Sequence, residues 1–293
     1  MSVNQEGHPR VCAVCVTYNP GPELRRNLQS IRGQVDDVIV VDNGSPSGEL
    51  DAESLGCGTI HILRQRQNTG VGRALNVGLE LVEKRGYEWA VLLDQDSTPG
   101  PHMVEALGRA MLEHDRGTRL CAVAPEITSR IDHGSRTSVE GVDRITTAIT
   151  SGSLVNVRVW RQVGGFREDF FIDYIDHEYC LRCGMSGYPT VLAHEAKLVH
   201  DIGLPVKRVL LGRKVIVTNH SPERRYYWAR NRVFVWRRYW RRYWKWVIND
   251  LWRFLVSCVE VFVLEEYRFC KVKYIILGLV DGLIGRSGER VRL

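Results

Sequence analysis

Val91-Leu92-Leu93-Asp94-Gln95-Asp96-Ser97 is the stretch that decides the fold. Three apolar residues in a row read as a buried strand, and the run ends in two carboxylates one residue apart. Asp94 and Asp96 therefore stand where a strand leaves the core and turns towards Pro99-Gly100. Open α/β sheets gather their ligands outside the carboxyl ends of the strands. Hard carboxylate oxygens at such a point suit a divalent cation that grips a diphosphate. Alone, Asp-x-Asp ahead of Pro-Gly is ordinary turn chemistry, so the neighbouring strand ends decide between the two readings.

Outward from this stretch, strand and helix patterns alternate. Val11 to Val16, Val38 to Val41, Thr59 to Leu63 and Trp89 to Leu93 read as strands. Pro22 to Ile31, Val71 to Val82 and Met103 to Leu112 carry apolar residues at helical spacing. The order β-α-β-β-α-β-α predicts an α/β sheet with helices on its faces. Glu126 to Thr150 is polar and irregular and reads as a long recognition loop. Order resumes at Ser151 to Val157, a helix is expected across Tyr174 to Met185, and one or two short strands within Val191 to His200.

Each early strand ends in ligand-capable chemistry. Thr17-Tyr18-Asn19-Pro20 follows the first, Asp42-Asn43-Gly44-Ser45 the second, and Gln67-Asn68-Thr69-Gly70-Val71-Gly72-Arg73 the third. Glycines let backbone N–H groups approach phosphate, and a helix starting near Thr69 would offer its positive end. Any one of these is common turn chemistry; four strand ends of the same kind make coincidence a poor account. Further along, Asp176 and Glu178 open the helix that contains Arg182, after the apolar run Phe170-Phe171-Ile172. A carboxylate so placed suits a general base. An acidic helix start with a Glu178–Arg182 pair explains the same residues structurally. His200 ends a short apolar run, where a neutral imidazole would complete a metal site or simply close a strand.

The 293 residues suffice for one large domain with an appendage or for two domains, and 44% hydrophobic with 25% charged residues is ordinary for a folded protein. Cys12-Ala-Val-Cys15 lies on a strand, where residues three apart face opposite ways, and Cys180-Leu-Arg-Cys183 lies on a helix. All eight cysteines are expected as small core residues or free thiols rather than a zinc site. No apolar leader and no membrane-spanning run is visible, which leads to the expectation of a cytoplasmic protein.

The charge of +6 is concentrated late, with nine Arg or Lys and no acid from Arg224 to Trp246. Six of the eight tryptophans fall between Arg224 and Trp252. At helical spacing Val233, Trp236, Trp240, Trp244, Val247 and Leu251 form a stripe beside Arg237, Arg238, Arg241, Arg242 and Lys245. That combination suits a membrane interface with anionic lipid. The same stripe would otherwise pack on the preceding domain or on a second subunit of a homo-oligomer. Nucleic acid is the least favoured partner, since no nucleic-acid motif accompanies the charge. The expected division is 1–220 for the α/β domain and 221–293 for the helical, basic-aromatic region.

Taken in order, the motifs resemble glycosyltransferase family 2, from Val11 to about Ile202. Leu-Leu-Asp94-Gln-Asp96-Ser, Phe-Phe-Ile-Asp173 and Arg224-Arg-Tyr-Tyr-x-x-Arg-Asn231 are similar to its bacterial rhamnosyltransferases of O-antigen and rhamnolipid synthesis. The resemblance implies a GT-A fold, a Rossmann-like mixed sheet with flanking helices. It implies an inverting rhamnosyltransferase using dTDP-L-rhamnose, Mg²⁺ or Mn²⁺, and a glycan or glycolipid acceptor at the membrane. Donor contacts would come from Thr17, Tyr18, Asn19, Asp42, Asn43, Asn68, Gly70, Gly72, Arg73, Asp94 and Gln95. Asp96 and His200 would hold the metal, and Asp176 would be the base, with Asp173 three residues earlier as its competitor. Family members commonly place Glu-Asp before this helix, whereas here the pair is Ile175-Asp176. The alternatives are a family 2 transferase using a UDP-sugar, or an inactive scaffold that binds lipid or nucleic acid through its tail.

Overall fold

The computed structural model describes residues 10–46, 50, 60–114, 119–128, 141–200, 206–210 and 213–291. Every residue of β1 (Val11–Thr17) is buried, as an uninterrupted apolar run on a central parallel strand requires. It pairs in parallel with β2 (Asp37–Asp42) on one side and β4 (Trp89–Asp94) on the other, and β2 pairs with β3 (Ile60–Arg64). The register sets Thr17 beside Asp42, Val16 beside Asp94, and Asp42 beside Arg64. The polar residues that end these strands therefore line one edge of the sheet.

Two helices cover one face. Leu24, Leu28 and Ile31 of α1 (Glu23–Arg32) share a core with Met103, Leu107 and Met111 of α3 (Met103–His114), against Val11, Ala13 and Cys15. Cys12 is fully buried but lies outside that cluster, as the two-residue strand period demands. Burial and the neighbouring Asp37 push its thiol up to about 12. Cys15 is pushed up further, by burial and then by the charges of Asp94 and Asp96, so neither thiol ionises near neutrality. Between β3 and β4 runs α2 (Val71–Lys84).

Beyond β4 the expected loop is partly sheet. β6 (Ala122–Thr128) and β7 (Val142–Ile145) both pair with β9 (Thr190–Val199), which is one ten-residue strand. Residues 129–140 of the expected loop lie outside the described residues. β8 (Leu154–Asn156) inserts antiparallel between β4 and β6, and the two-residue β5 (Thr98–Pro99) pairs with the end of β9. Asn156 then caps α4 (Val157–Val163) by accepting from the Val159 N–H at 3.1 Å. The next helix, α5 (Ile175–Met185), starts one residue later than the sequence suggests, because Tyr174 is left-handed at φ +65°. The strand order among the described residues is β3-β2-β1-β4-β8-β6-β9-β5, with β7 also on β9.

The chain forms two units, 1–168 with 176–200, and 169–175 with 201–293. The second begins ahead of the composition shift at Ser221, since the hairpin β10 (Val206–Leu210) and β11 (Arg213–Val217) belongs to it. In it, α6 (Pro222–Tyr239) is capped by Ser221, with proline in the first turn, and is followed by α7 (Trp244–Leu264) and α8 (Arg268–Ile284). The single stripe expected from Val233 to Leu251 does not exist, because the chain turns at 240–243. Val233 and Val247 are buried, while Trp240, Trp244 and Leu251 are exposed. The turn brings the buried Asp250 of α7 to Trp236 Nε1 at 2.8 Å and Arg232 Nε at 3.3 Å on α6. A continuous helix would leave that carboxylate without those partners.

His220, just ahead of α6, lies within the electrostatic influence of Arg224, Asp173, Arg225 and Glu265. Burial, then the Arg224 guanidinium, lowers it to about 4. The unfolded side chain takes a proton near 6.5 and the folded one only near 4, so its contribution is intact above pH 6.5 and is lost as pH falls towards 4. Denaturant titration should show a loss of order 3 kcal/mol over that window. The His220→Gln variant should lack this step.

Candidate active site

The first unit gathers the strand-end residues in register. Asp42 is buried, and its Oδ1 accepts from the Ser45 N–H at 3.1 Å and the Ser45 hydroxyl at 2.6 Å. The Ser45 hydroxyl oxygen in turn accepts from the Asn19 N–H at 2.9 Å, which ties the loop after β1 to the loop after β2. Gln95 accepts from the Tyr18 N–H at 2.8 Å, drawing the loop after β4 to the same place. Thr17 Oγ1 is buried without a hydrogen-bond partner.

Asn43 and Asn68 build the next loop. Asn43 Oδ1 accepts from the Thr69 N–H at 3.0 Å, and its amide donates to Asn68 Oδ1 at 3.0 Å, which also accepts from the Gly70 N–H. Their side chains are engaged in shaping the approach to α2. Gly70 sits at φ +85°, ψ 160°, a conformation that favours glycine, and no side chain caps the helix behind it. Gly72 is required for a different reason. A Cβ there would lie 2.4 Å from the Arg167 carbonyl oxygen.

This close approach brings residues 164–168 onto α2. Asn76 Oδ1 accepts from Trp160 Nε1 and the Phe166 N–H, while its amide donates to the Phe166 carbonyl and Glu168 Oε1, each at 2.9–3.0 Å. Arg73 Nη1 lies 3.1 Å from the same Glu168 oxygen. The sequence alone gave neither Asn76 nor Glu168 a role. The signal for Asn76 was its helical position after Gly72, while Glu168 had no local signal.

Asp94, Asp96 and His200 meet at the end of the sheet, each offering one ligand atom, with all three atoms within 4.8 Å of one another. His200 reaches the site because β9 runs parallel to β6 and ends beside β5. Its Nδ1 is 2.8 Å from Ser97 Oγ, which is 2.6 Å from Ser151 Oγ, and Ser151 Oγ accepts from the Asp94 N–H at 3.0 Å. The His200 tautomer that donates from Nδ1 to Ser97 Oγ would leave the Nε2 lone pair free for a cation. Two half-exposed carboxylates and one imidazole suit Mg²⁺ or Mn²⁺. Ser97 and Ser151 escaped the sequence reading. Ser97 adjoins the acidic pair, but Ser151 is distant in sequence and carries no pattern. Ser97→Ala should weaken Mn²⁺ binding about tenfold, read by calorimetry, because it frees the imidazole to rotate.

The two acids near α5 differ. Asp176 Oδ1 accepts from the His177 N–H and lies 2.7 Å from His177 Nδ1, and its side chain is 19% exposed. Glu178 is buried and pairs with Arg182 at 2.9 Å, and Arg182 also binds the Gly165 carbonyl at 2.6 Å. Glu178 is thus a helix staple, the structural one of its two readings. In the second unit, Asp173 is gripped by Arg224 at 3.0 Å. Burial alone would raise its carboxyl, but the Arg224 guanidinium holds it below the ordinary range, which makes it a weak base.

Residues 12–169, just over half of the chain, match the family model described as glycosyl transferase family 2. The chain is 26% identical to the dTDP-rhamnosyl transferase RfbF of Shigella flexneri, over 95% of this chain and 97% of that protein. It is 27% identical to the N-acetylglucosaminyl-diphospho-decaprenol L-rhamnosyltransferase of Mycobacterium tuberculosis, over 64% of this chain and 74% of that one. Among solved structures, GalNAc-T7 with UDP, GalNAc and Mn²⁺ has a TM-score of 0.60 at 12% identity, covering 96% of this chain and 57% of that chain. Residues 1–349 of S. aureus TarS have a TM-score of 0.51 at 13% identity, covering 94% and 72%. These likenesses concern the fold, a mixed sheet flanked by helices as in GT-A enzymes, and the family match concerns the sequence that builds it. The chain belongs to glycosyl transferase family 2.

Proposed function

We propose that the chain is an inverting rhamnosyltransferase that moves L-rhamnose from dTDP-L-rhamnose to a hydroxyl of a lipid-linked or glycolipid acceptor. The observation that carries this reading is the near full-length match to a protein named as a dTDP-rhamnosyl transferase, together with the meeting of Asp94, Asp96 and His200. Thr17, Asn19 and Asp42 hold the nucleoside, with the unpartnered Thr17 hydroxyl as one free polar atom there. The Gly70 approach to α2 and Arg73 border the diphosphate. Asp96 and His200, with Asp94 beside them, would hold Mg²⁺ or Mn²⁺, which would supply charge neutralisation for the leaving diphosphate.

Asp176 takes the proton from the acceptor hydroxyl as its oxygen bonds to C1 of the sugar. The C1–O bond to the diphosphate breaks on the opposite face, and its electron pair leaves with the nucleotide. One displacement inverts the anomeric centre, so no covalent enzyme intermediate forms. His177, 2.7 Å from Asp176 Oδ1, holds the carboxylate in one orientation.

The test is transfer from dTDP-L-rhamnose to polyprenyl-linked and glycolipid acceptors, read as dTDP release and product mass. A rhamnosylated product, with slower turnover of UDP-sugars, is expected. Preference for a UDP-sugar would assign a different donor. Failure to consume any nucleotide sugar would leave the inactive-scaffold reading.

The acceptor class directs attention to the second unit. Among the described residues no helix is long and apolar enough to cross a membrane. Yet Trp244, Ile248, Trp252, Leu255, Val259 and Phe262 are exposed along one face of α7, and Trp252 is 66% exposed. Phe269, Ile276, Val280 and Leu283 are exposed on α8. Arg241, Arg242 and Lys245 are exposed at the start of α7. We assign this face to an anionic lipid surface, which accepts both the apolar residues and the cations. Wild type should co-sediment with phosphatidylglycerol vesicles, and Trp252→Glu with Val259→Glu should not. A dimer that protects this face, without vesicle binding, would assign it to a second copy instead.

A further inference from the structure

We propose that Arg230 and Asn231 of α6 are positioning residues for Asp176, acting through the strap of residues 169–175 that runs directly into it. The proposal rests on the assignment of Asp176 as the base. Both residues are 0% exposed, although they lie in the basic stretch that begins at Arg224. The Asn231 amide nitrogen reaches the carbonyls of Phe170 at 3.0 Å, Ile172 at 2.8 Å and Asp173 at 2.9 Å. Arg230 Nη2 reaches the carbonyls of Asp169 at 3.0 Å and Phe170 at 3.1 Å. Arg230 Nε donates to Asn231 Oδ1 at 3.0 Å, which turns the amide N–H groups towards the strap. The guanidinium itself lies over Tyr227, 4.8 Å from the ring centre.

The strap needs this grip. Phe171, Asp173 and Tyr174 are left-handed at φ +66°, +62° and +65°. Non-glycine residues hold that conformation only where the surroundings over-determine it. Side chains complete the grip: Phe171 stacks on Tyr227 at 5.2 Å, and Arg224 holds the Asp173 carboxylate. The strap ends at Ile175, and the next residue is Asp176. Its other end follows Glu168, which is bonded to Arg73 and Asn76. A base must meet the acceptor hydroxyl within hydrogen-bond reach. A displacement of about 1 Å costs on the order of 100-fold in rate.

The experiment compares full-length wild type, Asn231→Ala, Arg230→Lys and a control, Val261→Ala, in the helical core away from the strap. Readouts are kcat and KM with dTDP-L-rhamnose, dTDP affinity, thermal stability, and hydrogen exchange of amides 174–180 without substrate. Asn231→Ala should lower kcat roughly 10- to 100-fold with donor KM and dTDP affinity nearly unchanged. It should also speed exchange at the start of α5. Arg230→Lys should behave likewise, since an ammonium cannot reproduce the fork. Val261→Ala should lose stability and keep kcat. Unchanged exchange at 174–180 in Asn231→Ala, or an equal loss of kcat in the control, overturns the proposal. If wild type does not consume dTDP-L-rhamnose, the rhamnosyl assignment fails, and the exchange measurement still decides the strap.

Discussion

Asp176→Asn should abolish measurable transfer, a loss of at least roughly 10²- to 10⁴-fold in kcat, while dTDP affinity stays near the wild-type value. The amide keeps the shape of the side chain and its bond from the His177 N–H but cannot accept the acceptor proton. The structure sharpens this expectation through its competitor. Asp173 is bound by Arg224 and held below the ordinary carboxylate range, so it is poorly suited to take over. Steady-state kinetics with calorimetry separates the two effects. Retained turnover in Asp176→Asn would move the base elsewhere, and a parallel loss of nucleotide affinity would make Asp176 a binding residue.

Asp96→Ala should act on the other half of the reaction. Its carboxylate is 48% exposed and Oδ1 lies 3.6 Å from His200 Nδ1, so removal leaves the fold intact and the cation short of a ligand. Metal-dependent dTDP binding should fall by more than the roughly 10- to 100-fold that follows loss of an outer hydrogen bond such as that of Ser97. Binding without metal should change little. Unchanged affinity in the presence of Mn²⁺ would remove Asp96 from the site.

The central strands were legible because β1, β2 and β4 are buried on both faces and read as apolar runs, and their parallel order places every carboxyl end on one edge. The position of Asp42, Asp94 and Asp96 at that edge followed from the strand pattern, while their roles came from the family resemblance. β7 was not legible: none of Val142, Asp143, Arg144 and Ile145 is buried, so a short strand looked like loop. The Ser97–Ser151–His200 chain joins residues far apart in sequence, and no spacing encodes it. The turn at 240–243 contains neither Gly nor Pro, so the pattern ran through it as one helix. The pairing of buried Asp250 with Arg232 and Trp236, and the packing of Phe254 on Trp228 and Trp236, favour the chain folding back. Arg230 and Asn231 show the same limit, since a composition rich in arginine does not say which guanidinium is buried against backbone carbonyls.

The most direct measurement is calorimetric binding of dTDP, UDP and GDP to the full-length protein, with and without Mg²⁺ or Mn²⁺. Binding of dTDP that requires the cation and exceeds that of UDP is the predicted result. No binding of any nucleotide with metal present, or cation-independent preference for UDP, would contradict the account.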